Sequence, residues 1–543
     1  MRKLRPSATA TLPAHYCYSS SDVLKNKYGI KNKRKLKEKC AHDATREMVN
    51  LRQELPPEQV NSDYLKYLHY CIFRNTYEWA GHTRDEPFTF SDGSTAHMPI
   101  LMKKNSDIAF TLGDEIQEKL QQFDQTLIAW NYLRELPYEQ FVDIASQMYA
   151  YLNSTRPFVE GNERTQRAFF EKLAEGAGYQ LDFSVVTQKR MNVASNVSIE
   201  EGDIRPLKYI FEEISHPKKI RLLKEVKDYM EFDHSDNLQD RFITIANEGE
   251  VYTGIYLGSR AHGFTIDVNG VHVVGEINHL TPEQIKTLSP GDKFTFTAPM
   301  NKDLEKILIP KEKLAPLTKE EMLEKINTTV AVHESQTAIK SLLKTVYGKS
   351  NALDIQLDMV KEDPRTGPQF VEAIMQNPFS VDKIAGFQIC GIKNNRRREA
   401  EDAFAPLCEA LTDYVDVVTN TRRNILRHHK TEQTRLAKQV KMPSEELLEV
   451  LSLPKEERQE ILGASHKLRS ELYDLVWKVN HRLSQNERLA LNNDNVTKIA
   501  TSIGISMEKA MDVTQFCNFL QQVSQEQTQL ARLNRSKNMA MAS

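Results

Sequence analysis

The feature that most constrains the fold of this chain is a change of sequence period over residues 241–299. On both sides of this stretch apolar residues recur every three or four positions, as in amphipathic helices, whereas inside it apolar and polar residues alternate, as in strands. The 543 residues are enough for several domains with separate cores. We therefore predict a multidomain, mainly α protein with a small β domain between two helical parts.

The alternating stretch predicts five strands and one inserted helix. The predicted strands are 242–245, 251–257, 264–268, 271–274 and 293–297. Asn269-Gly270 favours a type I′ turn between the third and fourth strands, and Pro282 favours the start of a short helix. This pattern is typical of a small closed barrel of the oligonucleotide/oligosaccharide-binding (OB) type. Because its strands are poor in aromatic residues interleaved with Lys or Arg, we expect a spacer or protein-binding module and no nucleic-acid partner.

Composition narrows the classes of protein further. Lys and Arg total 72 against 74 Asp and Glu, so no overall charge directs the chain to nucleic acid. No apolar run approaches a membrane span, and the basic start is followed by polar residues and Pro13 rather than by the apolar core of a signal peptide. The six cysteines have no metal-ligand spacing, and we predict buried or free thiols in a reducing compartment.

The residues that carry chemistry form one motif in the first helical part, 156–167, with the sequence RPFVEGNERTQR. Gly161 and Asn162 stand at a helix start, where free backbone N–H groups and the helix dipole attract anions. Arg164 and Arg167 are neighbours on one helix face and can bind phosphate oxygens. Glu160 is placed to hold Mg²⁺ against those phosphates. Taken alone, the motif also fits an ordinary helix–loop–helix turn.

The motif resembles the signature of Fic domains, HPFx(D/E)GNGRxxR. A β-hairpin predicted upstream is similar to the target-docking flap of that family, with the flap residues Phe88, Thr89, Phe90, Asp92 and Gly93. The tract 75–81 before it is also Fic-like. Fic proteins typically transfer AMP from ATP to a Ser, Thr or Tyr hydroxyl of a target protein. The resemblance implies the following roles: Mg²⁺ binding by Glu160, an anion hole from Gly161 and Asn162, and phosphate binding by Arg164 and Arg167.

Two departures from the signature act against catalysis. Arg156 stands where the family has the histidine that acts as general base, and arginine stays protonated at any useful pH. Glu163 stands where the family has glycine, so its carboxylate would repel phosphates. Glu163 also lies four residues before Arg167 and is expected to pair with it. We therefore expect a degenerate Fic domain.

The second helical part resembles the BID domain of the Bartonella effector proteins in four tracts: 347–348, 377–398, 429–433 and 442–444. The resemblance implies the order Fic, OB and BID. The corresponding ranges are a Fic (Fido) domain at 1–217, an OB-like barrel at 218–305, and an elongated helical-bundle BID domain at 306–543. In that family the BID domain and its basic tail are the signal for type IV secretion. The cationic residues of the tail here are Arg532, Arg535 and Lys537.

Two functions follow from this resemblance. The first is an effector made in the bacterial cytoplasm and translocated into the host cell, to the cytosol or the inner face of a membrane, where a weakened Fic fold serves as an adaptor. The alternative is an active nucleotidyl transferase that uses ATP and Mg²⁺ to modify a host protein. The implied partners are the type IV coupling protein, host proteins and a small antitoxin-like inhibitor of the Fic site.

Overall fold

The computed structural model of the chain describes residues 15–19, 21–103, 108–232, 237–389 and 391–542. These residues form two compact units. The first contains the chain up to His279 together with Leu288–Met300, and the second contains Leu280–Thr287 and the chain from Asn301 onward. Both are rich in helices, so the prediction of a mainly α, multidomain protein is confirmed.

The helices of the first unit carry the predicted three- and four-residue apolar period. They are α1 (Lys33–Gln53), α2 (Ser62–Phe73), α3 (Gly113–Ala129), α4 (Tyr138–Thr155), α5 (Asn162–Gly176), α6 (Gln188–Glu200), α7 (Arg205–Ser215) and α8 (Pro217–Phe232). In α4, for example, Phe141, Ala145, Met148 and Leu152 form one buried stripe. These stripes face one another, so α2, α4 and α5 surround a common apolar core that fixes the motif loop between α4 and α5.

The predicted hairpin is present between α2 and α3. Strands β1 (Phe88–Thr89) and β2 (Thr95–Ala96) are antiparallel, with Phe88 opposite Ala96. Gly93 has φ 80° in the turn, a left-handed conformation that glycine adopts without strain. Phe90 is buried in the core of the unit and holds the hairpin on the helices.

The five predicted strands form one sheet. They are β3 (Phe242–Ile245), β4 (Val251–Ser259), β5 (Gly263–Val268), β6 (Val271–Glu276) and β7 (Lys293–Thr297), in the order β3-β6-β5-β4-β7. β3 is parallel to β6, and the other neighbours are antiparallel. Asn269 and Gly270 have φ 55° and 83°, which confirms the type I′ turn. Ile243, Ile245 and Val274 pack in the same core as the helices, so the sheet and the helices are one body.

The second unit is helical, as predicted. Its helices are α9 (Pro282–Thr287), α10 (Asn301–Glu305), α11 (Lys319–Asn327), α12 (Val330–Tyr347), α13 (Asp354–Glu362), α14 (Gly367–Gln376), α15 (Asn395–Asp402), α16 (Phe404–Leu436), α17 (Glu445–Ser452), α18 (Lys455–Ala464), α19 (His466–Arg482), α20 (Gln485–Asn492), α21 (Val496–Ile503) and α22 (Met507–Ala542). α9 is the helix predicted at Pro282. One apolar core lies among α11–α14 and α16, and a second lies among α17–α22.

Two short strand pairs in this unit were not predicted. β8 (Ile307–Ile309) pairs with β11 (Val440–Lys441), and β9 (Gln388–Ile389) pairs with β10 (Ile392–Lys393). The first pair joins segments far apart in the sequence, so no local pattern announces it. Leu308, Ile309 and Val440 are buried there and extend the second core.

Several further predictions concern single residues. Five cysteines are free and buried in the described chain, namely Cys17, Cys40, Cys71, Cys408 and Cys517, whereas Cys390 lies outside the described residues. Arg532 is exposed near the end of α22, and the side chains of Arg535 and Lys537 lie outside the described residues. Among the helices that the structure describes, none is both long and apolar enough to cross a membrane.

Candidate functional site

The motif forms a tight loop between two helices, as predicted. α4 ends at Thr155, and Arg156 follows it with φ 43° and ψ 70°, in the left-handed region. Gly161 has φ 86° immediately before α5 begins at Asn162. A Cβ atom on Gly161 would lie 2.3 Å from Cε2 of Phe73, so both the backbone conformation and the space require glycine there. The loop therefore lies directly against α2.

Asn162 closes this loop from inside. Its Nδ2 donates to the carbonyl of Phe158 at 2.7 Å, and its Oδ1 accepts from the Phe158 N–H at 3.0 Å. The side chain of Asn162 is thus occupied within the loop. No side chain caps the start of α5 in the described chain, so the first backbone N–H groups of the helix are available to an anion.

The two arginines of the motif border this helix start. The Arg164 guanidinium lies over the ring of Phe73 at 4.6 Å, with Nη1 3.5 Å from Cys40 Sγ. Arg167 has a buried Nε atom without a hydrogen-bond partner among the described groups, next to the buried hydroxyl of Tyr149. Burial raises the pKa of Tyr149, and the charge of Arg167 lowers it in part. An unpaired buried N–H fits an external acceptor such as a phosphate oxygen.

Glu160 is a half-exposed carboxylate beside these cations. Its Oε1 lies 3.8 Å from Nη2 of Arg164. Among the described residues no group of three or more His, Cys, Asp or Glu could hold a metal alone. One carboxylate is nevertheless enough for Mg²⁺ when phosphates and water supply the other ligands, so the residues present fit a nucleotide-bound magnesium ion.

The two departures from the Fic signature are partners in one ion pair. Arg156 Nη2 lies 3.3 Å from Glu163 Oε1, and the Arg156 guanidinium also lies over the ring of Phe110 at 4.6 Å. The prediction that Glu163 pairs with Arg167 is therefore wrong for this structure. The left-handed backbone at residue 156 directs its side chain toward the start of α5, where it reaches Glu163 across the loop. As a result, Glu163 is partly neutralised by Arg156 and forms no ion pair with Arg167 in this structure.

His69, on α2, contacts the motif loop from the interior of the unit. The sequence did not predict this role. His69 is fully buried, with its ring stacked on Phe158 at 3.9 Å. Nδ1 accepts from the Gly81 N–H at 2.8 Å, so the ring proton is on Nε2, which donates to the Glu160 carbonyl at 3.0 Å. Burial lowers its pKa to about 3, so the ring is neutral. A single histidine within an apolar helix carries no sequence signal of this role.

Arg84 connects the loop to the hairpin and was also missed. The side chain is fully buried; Nε donates to the Arg156 carbonyl at 2.8 Å, and Nη1 to the Pro99 carbonyl at 2.9 Å. Nη2 donates to the Thr111 carbonyl. Burial lowers the pKa of Arg84 to about 10, which leaves it charged at neutral pH. One guanidinium thus joins the end of the hairpin segment, the segment before α3 and the motif loop.

The predicted flap residues lie on this hairpin. Phe88 and Thr89 form β1, Phe90 anchors the hairpin in the core, and Gly93 makes the turn. Asp92 accepts from Lys25 at 3.0 Å. Across the turn, Ser91 donates its N–H to Glu78 at 2.9 Å. The turn is therefore held on two sides, while Thr89 stays at the surface.

The chain is similar to known proteins along nearly its whole length. A sequence family described as Fic/DOC matches residues 59–174, and one described as the intracellular delivery domain matches 244–296, within the sheet. A protein adenylyltransferase of Bartonella henselae (strain Houston 1) is 45% identical over 531 residues, which cover 98% of this chain and 97% of that protein. The probable protein adenylyltransferase Fic of Escherichia coli K12 is 28% identical over 37% of this chain and 90% of its own.

A solved structure agrees with this result. The structure of the type IV secretion system effector protein BepA is 49% identical in sequence to this chain and superimposes with a TM-score of 0.51. The match covers 54% of this chain and 99% of the BepA chain. The helix–loop–helix motif, the β1–β2 hairpin and these matches together define a Fic-domain protein. More narrowly, the chain belongs to the family of the Bartonella effector proteins, with a Fic motif that departs from the family signature at Arg156 and Glu163.

Proposed function

We propose that this chain is a bacterial effector delivered by type IV secretion, and that its Fic domain binds a nucleotide but acts in the host cell as an adaptor rather than as an efficient transferase. The relatives named above are adenylyltransferases and a secretion-system effector, which supports the general class. The observation that carries the proposal is the Arg156–Glu163 ion pair at the position of the catalytic base.

Transfer of AMP to a hydroxyl needs a group that accepts the hydroxyl proton. Arg156 cannot accept it because a guanidinium is already protonated, and loss of a positioned base slows such reactions by about a hundred- to ten-thousand-fold. His69 cannot replace the base, since both of its ring nitrogens are engaged and the ring is buried beneath the loop. Proton acceptance is therefore the step that this site lacks.

The phosphate-binding part of the site is better preserved. The open start of α5, Arg164 and the unpaired Nε of Arg167 would hold the phosphates of ATP, and Glu160 would hold Mg²⁺. ATP would supply the AMP group, and Mg²⁺ would neutralise its phosphates. The residues of this chain would bind and orient the nucleotide without completing the transfer.

The test is repair of the site. Four proteins are incubated with α-labelled ATP and host lysate: the wild type, Arg156→His, Glu163→Gly and the double variant. We expect label only with the double variant, because histidine restores a base while Glu163, left without Arg156, would place an unpaired carboxylate beside the phosphates. Strong labelling by the wild type would instead establish an active transferase with another base.

A titration with ATP distinguishes a site that binds nucleotide but transfers AMP slowly from a site that no longer binds nucleotide. The wild type should bind ATP, and Arg167→Met should bind at least tenfold more weakly, because a charge-assisted contact to phosphate is lost. Lys227→Met, a lysine on α8 outside the motif, serves as the matched control. Absence of ATP binding by the wild type would mean that the phosphate site is lost as well.

The remaining roles are part of the same proposal. The proposed domains are a Fic domain at 1–217, an OB-like module at 218–305 and a BID domain at 306–543. The BID domain would carry the secretion signal. Its partner there would be the type IV coupling protein, which would carry the chain from the bacterial cytoplasm into the host cell. Host proteins would bind at the flap, and a small antitoxin-like protein would cap the Fic site before export.

A further inference from the structure

The side chain of Arg156 is held in place without using most of its hydrogen-bond donors. Its backbone carbonyl accepts from Nε of Arg84 at 2.8 Å, and its guanidinium lies over the ring of Phe110 at 4.6 Å. Among the residues that the structure describes, Glu163 is the one acceptor of this guanidinium, and the buried Nε atom has none. The side chain is 24% exposed, so it is open to solvent. Because a guanidinium carries five N–H groups, Arg156 can bind a further acceptor.

The contact with Glu163 shows which kind of acceptor fits there. Nη2 of Arg156 and Oε1 of Glu163 are 3.3 Å apart, whereas charge-assisted N–H···O bonds are usually about 2.7–2.9 Å long, and arginine often binds both oxygens of a carboxylate. Glu163 uses one oxygen, and its side chain is 44% exposed, so this ion pair contributes little free energy. A carboxylate that approached Arg156 with both oxygens would therefore displace Glu163.

Arg156 borders the loop on the side of the β1–β2 hairpin. Phe110, which carries the guanidinium of Arg156, donates its N–H to the carbonyl of Leu101 at 2.9 Å, and Leu101 belongs to the segment that continues from β2. Arg164 lies instead over the ring of Phe73, at the end of α2. The two cations therefore border the loop on different sides. A segment docked on the hairpin approaches the side that carries Arg156.

We propose that Arg156 binds the carboxylate of an Asp or Glu side chain on the host protein segment that docks on the β1–β2 hairpin. This inference rests on the adaptor function proposed above. In a transferase the residue at this position takes the proton of the target hydroxyl, so it faces the side chain that the target presents. A guanidinium cannot take a proton, but it donates two parallel N–H groups to a carboxylate. The site thereby recognises a carboxylate in place of a hydroxyl, and Arg156 exchanges Glu163 for the carboxylate of the partner.

The test uses the full chain and a phage-displayed library of random peptides as the probe. The wild type should enrich peptides with Asp or Glu at one position. Arg156→Glu should enrich Lys or Arg at that position instead, because reversing the charge of the site reverses the charge that it binds. Arg156→Met should enrich neither class. A reversed preference requires a folded site, so misfolding of a variant cannot produce it.

Two synthetic peptides then measure the contact directly. One is a peptide selected by the wild type, and the other has Asn or Gln in place of its acid. Arg156→Met should weaken binding of the acidic peptide by about tenfold or more and leave the amide peptide within about twofold, because only the acid forms the charge-assisted bonds. Glu163→Gln should strengthen binding of the acidic peptide about two- to fivefold, since it removes a competing carboxylate of like charge. Equal losses for both peptides would show that Arg156 only supports the structure of the loop.

A matched control and an ATP titration complete the experiment. Lys37→Glu reverses an exposed cation of α1 outside the motif and should select the same peptides as the wild type. If the wild type and Arg156→Glu select peptides of the same composition, or if the wild type enriches none, carboxylate recognition is refuted, whether or not ATP binds. An ATP affinity that falls as far with Arg156→Met as with Arg167→Met would assign Arg156 to the nucleotide and also refute it. A preference for acids in a wild type that does not bind ATP would support this inference and contradict the nucleotide-binding part of the proposed function.

Discussion

The stability of the Fic unit should depend on pH through His69. Its pKa is lowered from 6.5 to about 3 in the folded chain, because burial disfavours the charged ring. The unfolded chain therefore binds a proton near pH 6.5, while the folded chain binds it only near pH 3. The stabilisation is complete above pH 6.5 and is lost as the pH falls toward 3. Between pH 8 and pH 4.5 the loss from this one group amounts to about 3 kcal/mol.

The measurement compares wild type with His69→Gln, which removes the titrating ring and keeps polar atoms near Gly81 and Glu160. The chain has three tryptophans, and Trp79 is buried 5.7 Å from the His69 ring. In a background with Trp130→Phe and Trp477→Phe, fluorescence then reports unfolding around this site alone. Urea unfolding at both pH values gives the two losses of stability.

The difference between the two losses isolates His69, since the other acidic and basic groups are common to both proteins. We expect the wild type to lose about 3 kcal/mol more than His69→Gln over this range. Losses that agree within about 0.5 kcal/mol would show that His69 is not held neutral, and the hydrogen bonds assigned to its two nitrogens would then be wrong.

Three further predictions concern other parts of the chain. Gly161→Ala should destabilise the first unit by about 2–5 kcal/mol, from left-handed strain and the clash with Phe73, and Phe73→Leu should restore only the clash part in thermal melts. Arg190→Met should cost about 3–5 kcal/mol in urea unfolding, since it leaves the buried Glu213 carboxylate unpaired. A reporter fused to 301–543 should be transferred through a type IV system, whereas one fused to 317–543, which lacks β8, should be transferred poorly; efficient transfer of a chain ending at Pro310 would contradict this.

Local patterns predicted much of the fold. The period-two stretch predicted all five strands of the sheet within two residues at each end, because alternation and the Asn269-Gly270 turn are properties of neighbouring residues. The strand pair β8–β11 could not be predicted in this way. Its two segments are short and distant in sequence, and burial in the second core, rather than their own pattern, makes them strands.

In the candidate site, too, the features set by neighbouring residues could be predicted from the sequence, and those set by contacts between distant segments could not. The helix start at Asn162 and the glycine at 161 follow from the motif itself. The partner of Glu163 does not, because helical spacing favours Arg167 while the left-handed backbone of Arg156 decides the pairing. His69 and Arg84 act through contacts with backbone groups of distant segments, and such contacts leave no spacing in the sequence.

The contacts of Arg84 bear on how such a domain evolves. Its guanidinium binds main-chain carbonyls of residues 99, 111 and 156 and no side chain of the motif. The hydrogen bonds by which Arg84 holds the loop therefore do not depend on which side chain residue 156 carries. A histidine codon becomes an arginine codon, and a glycine codon a glutamate codon, by one base change each. Under the function proposed above, a lineage can thus lose the transfer chemistry and regain it without changing the helices and the hairpin that surround the loop.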